Sequence, residues 1–277
     1  RIKVRAASMA TWAREQEPLI LSYVFRHHPR LRHLSERSRV FDQVTPLLKG
    51  EIRAPLSLEG GDMLVLNERI LAIGCSERTS ADAVHLLAEN LREHHRRGET
   101  TFEYLLMVLM PKIRSAMHLD TIFTRTDHDE CLIYPPFFED RSRELLNVMV
   151  IDLRHDELRF TTEPNLLRVL RRLGIDLKPI ACGGSDHIKQ QREQWTDGAN
   201  AFCLAPGVIF SYERNTGTAE ELAKAGYHIL PVRKLLAVPN LDLLNGKKYL
   251  IQLECGELSR ARGGPRCMTM PLARTAL

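Results

Sequence analysis

The chain has 277 residues, 44% of them hydrophobic and 27% charged, with 16 Gly and 14 Pro, a composition that excludes a disordered tail, a collagen-like repeat and a disulfide scaffold. A chain of this length can bury on the order of three quarters of its unfolded surface, enough for one large domain or two small ones. Lys and Arg number 39 against 35 Asp and Glu, for a net charge of +4; the positive residues are scattered rather than gathered into a block, so nucleic acid is a poor candidate partner.

The longest apolar runs, Tyr104 to Met110 and Ala201 to Phe210, are too short to span a bilayer. The opening residues, Arg1 to Arg5, are basic without an apolar stretch behind them, so neither a membrane nor an export signal is expected. Cys75, Cys131, Cys182, Cys203, Cys255 and Cys267 are widely spaced with no CxxC pair, which argues against zinc and for reduced thiols in the cytoplasm. The chain opens on Arg1 rather than Met, as a fragment or a processed product would.

No Gly/Ser linker divides the chain, and residues 1–277 are read as a single domain. From Asp62 to Gly74 an apolar strand, a polar turn and a second apolar strand form a hairpin. A helix over 80–95 follows, with Ser80 as its cap, Val84, Leu87 and Leu91 on one face and basic residues at its end. A second hairpin starts at Asp120 and turns at Asp127-His-Asp-Glu130. A third starts at Asn200, turns at Ala205-Pro-Gly207 and leads into a helix from Thr218 to Ala225 stopped by Gly226. Glu-Arg stands between hairpin and helix in the first and third units. The openings at Asp62, Asp120 and Asn200 are spaced too widely for common solenoids, so the pattern predicts an α/β fold of ββαβ units arranged as propeller-like blades. Equivalent strands starting at one end of such a ring would bring those three residues to one mouth, although Asp and Asn also serve simply as strand and turn caps.

Four stretches could carry chemistry. In Leu58-Glu59-Gly60-Gly61-Asp62 two carboxylates flank glycines that let a ligand approach the backbone, as a polar turn also would. His118-Leu-Asp120 is read as a strand start, where residues two apart face the same side and an imidazole acid/base stands beside an anion; a surface turn looks similar. Arg262-Gly-Gly-Pro-Arg-Cys267 sets a cysteine after a doubly basic loop expected to lower its pKa. Buried inert thiols are the reading for Cys75, Cys131, Cys203 and Cys255, while Cys182 has the glycines without the arginines. Gln194-Trp-Thr-Asp-Gly198 is assigned to packing and turn formation. The signatures GxSxG, GxxxxGK[ST] and GxGxxG are all absent from the sequence. The remaining thiol, histidine, carboxylates and Arg14, Arg78 and Arg262 would suit a zwitterionic guanidino amino acid, because carboxylates hold cations and arginines hold anions.

Taken in order, Met9-Ala-Thr-Trp-Ala-Arg14 with Glu17, Leu58-Glu-Gly-Gly-Asp62, Ser76-Glu-Arg-Thr79, His118-Leu-Asp-Thr-Ile-Phe123, Arg192-Glu-Gln-Trp-Thr-Asp-Gly198, Ala205-Pro-Gly207, Tyr212-Glu-Arg-Asn215 and Gly263-Gly-Pro-Arg-Cys-Met268 resemble the arginine deiminases of the guanidino-group modifying, or pentein, superfamily. The resemblance runs along nearly the whole chain. It implies a propeller of ββαβ units around a pseudo-fivefold axis, and hydrolysis of L-arginine to L-citrulline and ammonia. It implies Cys267 as nucleophile, His118 as acid/base, Glu59 and Asp120 around the guanidinium, Arg14 and Arg78 at the substrate carboxylate, Arg262 as a mobile-loop arginine, and Asp62 in substrate binding. It calls for no metal or organic cofactor, and leaves a homo-oligomer open. Family members carry, upstream, an Asn and a Phe-x-Arg-Asp motif that this sequence lacks, so the resemblance implies one incomplete blade. Two other functions fit the same residues: an amidinotransferase of the superfamily and a non-catalytic arginine-binding paralogue.

Overall fold

The computed structural model describes residues 2–6, 9–14, 16–32, 39–42, 56–139, 142, 144–238, 242–254 and 257–271, with backbone alone for 2–6 and 39–42. Arg1 and Cys255 lie outside the described residues. The contacts divide the chain into two compact units, Arg1–Ile113 with Met149–Thr162, and Arg114–Val148 with Glu163–Ala276.

In the first unit β1 (Ile2–Ala6) is followed by α1 (Gln16–His27) and by β2 (Arg39–Asp42), which pairs with β1 in parallel. A 3-10 turn at Gly60–Asp62 leads into the antiparallel hairpin of β3 (Met63–Val65) and β4 (Ile70–Cys75). Helix α2 (Ala81–Arg96) then returns the chain to β5 (Tyr104–Leu109), which lies parallel to β4. This ββαβ plan is the one the hydrophobic pattern predicts. Val84, Leu87, Ala88 and Leu91 recur at helical spacing and are buried with Leu71, Ile73, Leu105 and Met107 of the sheet, each of these side chains larger than alanine contributing about 1.5–3 kcal/mol. Ser80 Oγ accepts from Ala83 N at 3.3 Å, Asp82 stands in the first turn, and His94, His95 and Arg96 stand in the last, so both helix ends meet the charge they favour.

In the second unit a 3-10 turn at Leu119–Thr121 precedes the hairpin of β6 (Phe123–Arg125) and β7 (Glu130–Ile133). The chain then returns to the first unit, where β8 (Asn147–Asp152) and β9 (Arg159–Pro164), which lie mostly in it, complete the sheet ordered β3-β4-β5-β8-β9. After α3 (Leu166–Arg172), β10 (Lys178–Ala181) joins β7 in parallel. Helix α4 (His187–Trp195) leads to the hairpin of β11 (Phe202–Ala205) and β12 (Val208–Tyr212). Then follow α5 (Thr216–Lys224), β13 (His228–Pro231), α6 (Val232–Ala237) and β14 (Tyr249–Leu253), which pairs in parallel with both β12 and β13. The protein is thus mixed α/β in separate short sheets, and no sheet closes on itself among the described residues.

Two local expectations are corrected. Residues 118–121 do not begin a strand. Thr121 N bonds to His118 O at 3.1 Å, and the 3-10 turn so formed carries side chains round by roughly a third of a turn per residue, which removes the alternation that would align His118 with Asp120. The same closure recurs before the other hairpins, from Asp62 N to Glu59 O at 3.1 Å and from Asn200 N to Asp197 O at 3.0 Å. The equivalent closing residues are therefore Asp62, Thr121 and Asn200, and Asp120 sits one step earlier. The helix expected over 218–225 begins instead at Thr216, because Glu193 of α4 caps it from a distance, accepting from Gly217 N, Thr218 N and Thr218 Oγ1 at 2.7, 2.8 and 2.6 Å.

The local cap on α2 gives a direct test. Ser80→Ala is expected to lower the unfolding free energy by roughly 1 kcal/mol in a denaturant titration, and an unchanged midpoint would show that Ser80 Oγ does not cap the helix.

Candidate functional site

Each unit holds its own polar constellation. In the first, Glu59 is 2% exposed at the head of the Gly60–Asp62 turn. Its Oε1 accepts from Ala10 N at 3.2 Å, its Oε2 accepts from Arg14 Nη1 at 2.8 Å, and Arg78 Nη1 lies 3.7 Å away. Arg14 also forms a forked pair with Glu17 at 2.8 and 2.9 Å. Both arginines that the resemblance assigns to a substrate carboxylate are thus drawn onto a carboxylate of the protein. Asp62 acts beneath them: its Oδ2 accepts from Ser76 Oγ and Thr79 Oγ1, both at 2.7 Å, and Thr79 Oγ1 in turn accepts from Glu59 N at 3.2 Å. Asp62 therefore ties the Ser76-Glu-Arg-Thr79 loop to the backbone of Glu59.

In the second unit Cys267 sits in a 3-10 turn at Arg266–Met268, with its N bonded to Gly264 O at 3.0 Å. Its Sγ accepts from Asn200 Nδ2 at 3.4 Å and stands 3.9 Å from Asp120 Oδ2. Asp120 is fully buried; Arg266 Nη1 reaches the same Oδ2 at 2.7 Å, while the buried Oδ1 has no hydrogen-bond partner among the described residues. His118, at the head of the turn that carries Asp120, is buried in this unit as well.

Arg262, which the resemblance implies as a mobile-loop arginine, is held inside the second unit in this structure. It is buried in the left-handed conformation at φ +63°. Its Nη1 donates to the carbonyls of Gln194 and Trp195 at 3.2 and 2.5 Å, its Nη2 to Ser115 O at 2.6 Å, and the guanidinium lies 4.7 Å from the Trp195 ring centre. In this structure it braces Gln194-Trp-Thr-Asp-Gly198, and Arg266 is the arginine nearest the thiol and aspartate. Sequence reasoning missed Arg266 and Asp197 and gave Asn200 a place at the predicted mouth without a partner; only the fold shows what each side chain meets.

The expectation of a lowered thiol pKa is also corrected. Burial, reinforced by Asp120 and Asp197, pushes the Cys267 thiol up to about 12, with Asn200 and the Gly264 backbone opposing. The residue as a whole is exposed, while its sulfur faces Asp120 Oδ2 at 3.9 Å. Arg266 is committed to Asp120 and Arg262 to carbonyls, which leaves the loop's positive charge largely spent elsewhere. Cys131 and Cys182 are buried with raised pKa values, as expected of inert thiols. Among the described residues no group of three His, Cys, Asp or Glu could hold a metal ion, and no helix is long and apolar enough to cross a membrane.

A family model described as arginine deiminase matches residues 3–274. The chain is 35% identical over 264 residues to an arginine deiminase of Bacillus cytotoxicus and 36% identical over 267 residues to one of Listeria welshimeri. The alignments take in 95% and 96% of this chain but 56% of each relative, so the chain spans little more than half the length of these curated relatives. Among solved structures, SxtG, an amidinotransferase from Microseira wollei in the saxitoxin biosynthetic pathway, superposes with a TM-score of 0.58 at 12% identity, over 98% of this chain and 66% of that one. The ternary complex of AgrE with ornithine and NAD+ gives 0.53 at 15% identity, over 94% of this chain and 27% of that one. At these identities the likeness is one of fold alone.

Asp197 is the least compensated charge in the second unit. It is fully buried at φ +62°, neither carboxylate oxygen has a hydrogen-bond partner among the described residues, and Arg262 Nη1 is 4.0 Å away. Burial, with Arg262 opposing and Asp120 adding, raises its pKa from 3.8 to about 7. Between those two pH values the folded protein keeps a proton that the unfolded chain has released, so stability falls as pH rises through the window and stays reduced above it. Asn tolerates the left-handed backbone and carries no charge. Asp197→Asn is therefore expected to gain stability over the parent progressively from pH 5 to pH 8, by roughly 2–3 kcal/mol across that range, measured by denaturant unfolding; a difference that does not change with pH would contradict the assignment.

Proposed function

The chain belongs to the arginine deiminase family, and from that premise we propose that it hydrolyses L-arginine to L-citrulline and ammonia, a hydrolysis at a C–N bond of a linear amidine. The observation that carries the reading is that Asp120 Oδ2 and Asn200 Nδ2 both lie within 4 Å of Cys267 Sγ, with Asp120 Oδ1 buried and without a partner among the described residues. A buried carboxylate oxygen without a donor is costly, and a guanidinium N–H supplies the missing bond together with a neutralising charge.

In the proposed reaction the Cys267 thiolate attacks the guanidinium carbon. The tetrahedral adduct collapses as His118 gives a proton to the departing nitrogen, releasing ammonia and leaving an amidino thioether on the enzyme. A water that has lost a proton to His118 adds to the same carbon, the carbon–sulfur bond breaks, and citrulline leaves with the thiol regenerated. Asp120 holds the positive charge that persists through both tetrahedral stages. For Glu59, Arg14, Arg78 and Asp62 we propose the substrate-binding roles that the resemblance implies, with Asp62 acting through Glu59 and Thr79. Arg262 we assign to bracing the turn that carries Asp197 and Asn200.

A thiol titrating near 12 is ionised to only about one part in 10⁵ at pH 7. A bound guanidinium changes this balance, since a cation beside both sulfur and carboxylate favours the ionised thiol. The proposed nucleophile is thus activated mainly by the substrate it attacks. The proposed fold arrangement is the propeller of ββαβ units to which the three observed repeats would contribute.

The test is citrulline release from L-arginine with no amine acceptor added. Turnover by the parent and its loss by at least 10⁴-fold in Cys267→Ala are the expected results. Product formed only with an added amine would indicate amidino transfer, and undiminished citrulline release by Cys267→Ala would refute the nucleophile.

A further inference from the structure

We propose that Asn200 is a positioning residue for Cys267, fixing the cysteine loop with one end of its amide and directing an N–H at the sulfur with the other. The proposal rests on the reading of Cys267 as the nucleophile and adds to it a group that the family resemblance does not single out.

Asn200 is fully buried and closes the turn ahead of β11 through its own N, bonded to Asp197 O at 3.0 Å. The side chain then divides its duties. Oδ1 accepts from Arg266 N at 3.1 Å, and Nδ2 donates to Cys267 Sγ at 3.4 Å. The orientation of the amide follows from chemistry, because the reversed amide would set its NH₂ against the N–H of Arg266, donor facing donor. The Arg266 backbone thus fixes which end faces the sulfur.

The loop is shaped to receive this amide. A Cβ on Gly264 would lie 2.2 Å from Asn200 Oδ1 and 2.5 Å from its Cγ, so the absence of a side chain at 264 is a condition of the contact. One residue earlier, Tyr212 OH donates to Gly263 O at 2.5 Å, anchoring the loop to the end of β12. Asn200 stands just ahead of β11 and Tyr212 ends β12, the two strands of one hairpin, so one element grips the cysteine loop at 263 and at 266–267. The adjacent carboxylate of Asp120 opposes ionisation of the sulfur, whereas the Asn200 N–H favours it.

Asn200→Asp separates the two duties. It keeps an acceptor for Arg266 N and replaces the donor at the sulfur by a second negative charge. Alkylation of Cys267 by iodoacetamide, followed from pH 6 to 10 by peptide mass spectrometry, reads thiolate availability without requiring turnover. Labelling of Cys203 in the same sample, together with the unfolding midpoint, reports whether the fold is intact. The expected result is a Cys267 labelling rate at pH 8 at least tenfold below the parent, with its pH midpoint displaced upward and Cys203 labelling unchanged. Should Asn200→Asp not fold, Gly264→Ala displaces the same amide from the other side and is expected to alter the Cys267 profile in the same direction. Profiles that overlay the parent in the folded variant overturn the proposal. A parent that makes no citrulline while the labelling shift is observed overturns the deiminase reading and leaves the positioning role of Asn200 standing.

Discussion

A buried carboxylate cannot stay ionised without a compensating partner, and at Asp120 that requirement organises the second unit's site. Arg266 satisfies one oxygen at 2.7 Å and Cys267 follows it directly in the chain, so the ion pair that stabilises Asp120 also delivers the thiol to 3.9 Å from it. The other oxygen has no donor among the described residues. Removing either member of such a pair strands the other as an uncompensated buried charge, so the cysteine turn and the aspartate turn hold each other in place. Arg266 is thereby an arginine of the protein occupying half of the coordination that a substrate cation would complete.

The electrostatics of the sulfur follow from the same arrangement. With both nearby arginines already committed, two carboxylates and desolvation dominate and the thiol is held protonated. A resting thiol of that kind is a weak nucleophile and resists oxidation. On the proposed reading, a guanidinium supplies both what the carboxylate lacks and what the sulfur needs, so that binding and activation are one event. Asn200 contributes differently, through a neutral donor whose direction is set by the backbone it also anchors.

Much of this architecture is legible in the sequence. The hairpins at 62 and 200 and helix α2 could be read because their apolar residues recur at periods of two and of 3.6, and because Ser80 and the basic helix end agree with them. The thiol was marked by its Gly-Gly-Pro-Arg-Cys context, and His118, Asp120 and Glu59 by position and resemblance. What could not be read was decided by contacts between distant segments. Helix α5 starts early because Glu193 caps it from another helix, and Arg262 donates here to carbonyls at 115, 194 and 195. The thiol pKa rises because burial and the neighbouring Asp120 act on it, while the arginines beside it in sequence have other partners in space. Asp197 looked like an ordinary Asp-Gly turn residue, which locally it is; its burial without hydrogen-bond partners becomes visible only in three dimensions.

The central claim is that the open oxygen of Asp120 is the receptor for the substrate's cation. Calorimetric titration of L-arginine into the Cys267→Ala protein, with and without the further change Asp120→Asn, measures this with chemistry switched off. The account requires binding to the single variant and an affinity at least tenfold weaker in the double variant, in keeping with a charge-assisted hydrogen bond worth about 1.5–3 kcal/mol. Equal affinities, or no binding to either protein, would contradict it.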